Sequence, residues 1–82
     1  MLVKEYRNKV IEIAAKANLF YVLCIFRSPI SGIERRVAYF EDVSEAVIFS
    51  NELIKTYTKF KYPFEISSNV NIINYRTDDF FE

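Results

Sequence analysis

Histidine and tryptophan are missing from this chain of 82 residues, glycine and cysteine occur once each, and proline occurs twice. Without histidine there is neither the commonest general base nor the commonest metal ligand. A lone cysteine, Cys24, makes no intrachain disulfide, and with no histidine beside it a zinc site of the usual composition cannot be built. Glycine-rich phosphate loops are excluded on the same count. The longest apolar run, Leu19 to Phe26, is eight residues, well short of the roughly 20 that span a bilayer as a helix. No membrane partner, signal peptide, cofactor or metal is expected, the cytosol is the expected location, and no enzyme is expected.

Aromatic residues are plentiful instead, with eight phenylalanines and six tyrosines. Each has about 150–250 Å² to hide, a load that strains a small two-layer domain, so either several lie half exposed or the surplus marks a contact surface. The net charge is zero, which argues against a general polyanion binder. Charge is nevertheless uneven: residues 1–40 carry seven Lys/Arg against three Asp/Glu, and residues 41–82 carry four against eight. The two halves should attract each other, within one chain or between copies. Phe, Tyr, Met, Ile, Asn and Lys supply 37 residues and Gly, Ala, Arg and Pro only 13, a skew that suggests an AT-rich coding genome.

Apolar residues at Leu2, Tyr6, Val10, Ile13, Ala14 and Ala17 predict an amphipathic helix over Leu2 to Ala17, closed by Asn18. The continuous run Leu19 to Arg27 predicts a central strand covered on both faces. Ser28 to Gly32 supplies a turn, and Ile33 to Phe40 completes a hairpin. Asp42-x-x-Glu45 reads as a capping box opening a second helix, which should end before Pro63. Phe64 to Tyr75 reads as one strand or as a short hairpin turning at Ser67-Ser68-Asn69.

The predicted fold class is α+β, a two-layer α/β sandwich in the order α-β-β-α-β. A right-handed crossover sets strand 3 parallel to strand 2 and gives a three-stranded, mostly antiparallel sheet of order 2-1-3. Both helices are expected on one face. Residues 1–76 should form a single domain, followed by an acidic-aromatic tail over 77–82.

With Arg27 opposite Ile33, one face of the hairpin carries Phe20, Val22, Cys24, Phe26, Ala38 and Phe40 and is expected to meet the helices. The other carries Tyr21, Leu23, Ile25, Val37 and Tyr39, with Arg27 and Arg35 on its margin. This second set, tyrosine and arginine around an aliphatic centre, has the composition of a protein interface. It is the expected partner-binding site, for another protein or a second copy of the chain, the alternative being a third layer made by the chain's own ends. A further candidate is docking through the tail, by Asp78, Asp79, Phe80 and Phe81, the alternative being that Phe80 and Phe81 fold back to cover sheet or helix edges.

The expected function is that of a small non-catalytic protein-binding module. Its size and AT-rich coding suit an inhibitor or anti-defence protein of a phage or mobile element. The alternative is weak nucleic-acid binding by the Arg/Tyr face of the hairpin. Neither an RNA-recognition motif nor a KH domain is assigned. Arg35 and Val37 stand where the first would need stacking aromatics, and the glycines of the second's clamp loop are absent.

Overall fold

The computed structural model describes residues 2–80. Helix α1 runs over Val3–Ala17, and Asn18 ends it in the left-handed conformation (φ 55°, ψ 48°) with its N–H on the carbonyls of Ala14 and Ala15. Leu2 lies just outside, in extended backbone. Strands β1 (Phe20–Ser28) and β2 (Gly32–Phe40) form the hairpin with Arg27 opposite Ile33, in the register expected. Ser28 pairs with Gly32, so the loop is three residues. Gly32 has φ +80°, the left-handed position such a loop places at its end.

Helix α2 (Val43–Phe60) is capped by Asp42, whose carboxylate accepts the N–H of Ser44 at 3.0 Å and its hydroxyl at 2.9 Å. Those two bonds, the backbone one foremost, hold the Asp42 carboxyl below the ordinary range. Lys61 ends the helix with φ 59°, two residues before Pro63. The last segment is a hairpin of β3 (Phe64–Ser68) and β4 (Tyr75–Arg76), its turn spanning residues 69–74.

The sheet order is β2-β1-β3-β4 with antiparallel neighbours throughout, so the most apolar strand is internal and β2 runs parallel to β3. The placement of the helices differs from expectation. Val22, Cys24 and Phe26 pack with Ala46, Leu53 and Tyr57 of α2. Tyr21, Leu23 and Ile25 pack with Val10 and Ala14 of α1. Successive strand residues point to opposite faces, so the helices cover opposite sides and the architecture is three-layered. The physical reason lies in β1 itself. Each face presents three large apolar or aromatic groups, and leaving one such group in water costs about 1.5–3 kcal/mol. A two-layer arrangement would leave one of these faces wet.

Candidate functional site

The structure brings the expected partner-binding residues together on one face and then covers their centre. Leu23 and Ile25 are each 1% exposed and Tyr21 8%. Val37 and Tyr39 are half-buried against the same cluster, beside Val3 and Tyr6 of α1. Arg35 is exposed, and its guanidinium carbon stands 4.6 Å from the centre of the Tyr6 ring. Arg27 is half-buried, its backbone N–H donating to the Pro63 carbonyl at 2.9 Å. Burial pushes the Tyr21 hydroxyl upward, with the Arg7 charge acting against it. The same face holds an ion pair from Arg7 to Glu65 of β3 that nothing in the spacing announced. Tyr21, Leu23 and Ile25 thus lie in the interior, while Arg27, Arg35, Val37 and Tyr39 keep part of their surface.

The tail divides. Asp78 and Asp79 are exposed, whereas Phe80 is 3% exposed and packs into the α1-side cluster. Phe81 lies outside the described residues. Thr77 extends the β3–β4 pairing, its N–H on the Phe64 carbonyl and its hydroxyl accepting the Phe64 N–H, both at 3.0 Å. The folded body therefore continues past residue 76 to at least Phe80.

Two features on and around β2 remain open. The first is a cleft of about 390 Å³ between the C-terminal half of α2 and the turn end of the hairpin. Its floor is aromatic, with Phe26 stacked on Tyr57 at 4.4 Å and near-parallel to Tyr62 at 6.1 Å. Phe60, 58% exposed, extends the stack. Glu34 and Arg36 of β2 form the charged rim. In the core cluster that also holds Phe26 and Tyr57, burial pushes the Cys24 thiol up to about 12 despite the opposing charge of Arg36, which disfavours the thiolate. Among the described residues no group of three or more Cys, Asp or Glu is placed to hold a metal ion.

The second feature is the outer edge of β2. At odd positions of β1 the backbone N–H points toward β3, as Arg27 to Pro63 and Tyr21 to the Asn69 side chain show. Even positions of β1 are left to bond β2, and they lie opposite its even positions: Val22–Ala38, Cys24–Arg36, Phe26–Glu34. Ile33, Arg35, Val37 and Tyr39 must therefore aim their N–H and C=O groups outward, where no strand pairs among the described residues. The nine pairs of β2 are consecutive, without a bulge, and the strand contains no proline or lysine. Proteins commonly blunt such an edge, and the opposite edge here is blunted, because β4 is two residues long. The expected sheet order 2-1-3 already left this strand at an edge, but its outward parity depends on the β1–β3 register. No protein-family model, no characterised protein and no solved structure matches this chain.

Proposed function

We propose that this chain is a non-catalytic protein-binding module that accepts an added β-strand along the outer edge of β2. One observation carries the reading: a regular edge without proline, lysine or bulge, whose outward donors and acceptors at Ile33, Arg35 and Val37 lie in its exposed half or beside it. In strand addition the backbone bonds supply affinity and neighbouring pockets supply selectivity. The aromatic cleft rimmed by Glu34 and Arg36 is such a pocket. A module of this kind acts by occupying a partner's surface, as an inhibitor does.

Replacing Arg35 isolates the backbone term. Arg35→Ala removes the side chain and keeps the N–H, whereas Arg35→Pro also removes an N–H that β1 does not use. Tagged forms of both, with the wild type, are used to capture partners from the cells that make the protein, folding being checked by circular dichroism. A partner retained by wild type and Arg35→Ala but lost by Arg35→Pro is expected. One held equally by all three would rule the edge out.

A further inference from the structure

We infer that the strand added to β2 is β2 of a second copy of this chain, paired antiparallel about a two-fold axis at Arg35; the inference rests on the edge reading above. When two antiparallel strands extend one sheet, both copies must present the same face upward. The axis is then normal to the sheet and passes through a residue opposite its own counterpart. Only a few such registers exist on a nine-residue strand, and charge separates them.

Centring on Glu34 sets carboxylate against carboxylate, and centring on Arg36 sets guanidinium against guanidinium. Centring on Val37 leaves Glu34 opposite Phe40 of the second copy. Centring on Arg35 places Glu34 opposite Arg36 of the second copy, twice by symmetry, and Ile33 opposite Val37, also twice. Opposite charges and apolar groups then meet their own kind of complement. The backbone parity agrees. Arg35, Ile33 and Val37 carry outward-facing N–H and C=O groups, so they form the hydrogen-bonded pairs. Glu34 and Arg36 fall in the non-hydrogen-bonded pair, where side chains approach more closely.

The one like-charge pair in this register is Arg35 with itself, and the fold already draws that charge away. The Arg35 guanidinium is held over Tyr6 of α1, 4.6 Å from the ring centre, and α1 packs on β1 rather than beyond the edge. The register also carries the hairpin tip toward Phe40 of the second copy, and Ile30 at that tip is 93% exposed. The assembly closes on itself. An eight-stranded sheet made this way ends on two β4 strands of two residues each, too short to template further addition. Pairing of single edge strands buries little area, so the dimer is weak and concentration-dependent.

Sedimentation equilibrium over a wide concentration range tests this with charge exchange. The wild type should show a monomer–dimer equilibrium. Glu34→Arg and Arg36→Glu should each weaken it by roughly tenfold or more, because each converts two opposite-charge pairs into like-charge pairs. An equimolar mixture of the two variants should associate at least as well as the wild type, and so should the double variant Glu34→Arg/Arg36→Glu. Arg35→Pro should be monomeric throughout. A monomeric wild type at every concentration overturns the second copy as occupant. If Arg35→Pro nevertheless abolishes capture of a different protein, strand addition stands with that protein as its strand. Single variants that dimerise like the wild type overturn the register. Dimerisation that survives Arg35→Pro in a folded protein overturns the pairing of β2 with β2.

Discussion

Arg7 of α1 and Glu65 of β3, 58 residues apart in the chain, meet as an ion pair on the sheet face that α1 covers. Their side chains are 26% and 17% exposed, against 77% and 65% for the helical pair Lys16–Glu12. Partial burial weakens screening, and the pair ties the first helix to a strand formed late in the sequence.

A double-mutant cycle with Arg7→Ala and Glu65→Ala should therefore give a coupling energy of about 1–2 kcal/mol in urea unfolding. The same cycle on Glu12 and Lys16 should give about 0.3–0.5 kcal/mol. Equal couplings would show that burial adds nothing to the Arg7–Glu65 pair.

Asn69 continues the β1–β3 ladder with its side chain after the backbone has turned away. Its Oδ1 accepts the Tyr21 N–H and its Nδ2 donates to the Leu19 carbonyl, each at 3.0 Å. Those partners fix the amide orientation, since an N–H must meet an acceptor and a carbonyl a donor. Asn69→Ala leaves the donor of buried Tyr21 unsatisfied and should cost about 2 kcal/mol. Asn69→Asp keeps the acceptor but sets a carboxylate against the Leu19 carbonyl. It should destabilise at pH 7 and recover in part below about pH 4, where the acid can donate. Thermal melts at both pH values read this directly, and a pH-independent Asp variant would contradict it.

Much of the fold was legible because local signals were unambiguous. The left-handed stop at Asn18, the Asp42 cap, the Arg27–Ile33 register and the position of β1 inside the sheet all follow from short stretches of sequence. The side on which each helix packs was not local. It was nonetheless implied by β1, since a strand apolar on both faces is incompatible with two layers. The covered partner face follows from that one inconsistency. The aromatic cleft was illegible for another reason: Phe26, Tyr57 and Tyr62 come from three separate segments, and only the tertiary fold stacks them. Among the described aromatic residues, Phe60 and Tyr75 are left exposed to solvent.

Cys24 gives the fold an alkaline limit. Its thiol is held near 12 against an ordinary value of 9.0, chiefly by burial. A group whose pKa is raised in the folded state keeps its contribution below the unfolded value and loses it as pH climbs toward the folded one. Stability should thus fall between about pH 9 and 12, by up to about 1.4 kcal/mol per pH unit for this one proton. Tyr21 and Tyr57, also raised by burial, steepen the fall from about pH 10. In Cys24→Ala the slope between pH 9 and 10 should be flatter, measured by urea unfolding at each pH. The wild-type thiol should resist a disulfide reagent until the protein unfolds, and labelling at the rate of a free thiol would refute its burial.

Phe80 closes the α1 side of the sheet. It is 3% exposed and shares a cluster with Val10, Ala14, Leu23 and Ile25. Its ring adds apolar cover to a face on which α1 contributes Val10 and the small Ala14. The turn that delivers it is held by the Phe80 N–H on the Thr77 carbonyl at 3.2 Å, with Thr77 itself bonded to Phe64. Phe80→Ala should therefore cost about 3 kcal/mol, within the range for truncating a buried phenylalanine. Phe80→Leu should retain most of that stability. Asp78→Asn and Asp79→Asn, at exposed positions, should stay within about 0.5 kcal/mol of the wild type. Removing residues 77–82 should uncover Leu23 and Ile25 enough to bind a hydrophobic dye and lower the unfolding midpoint beyond Phe80→Ala. A truncated chain as stable as the full one would mean that this face is closed by α1 alone.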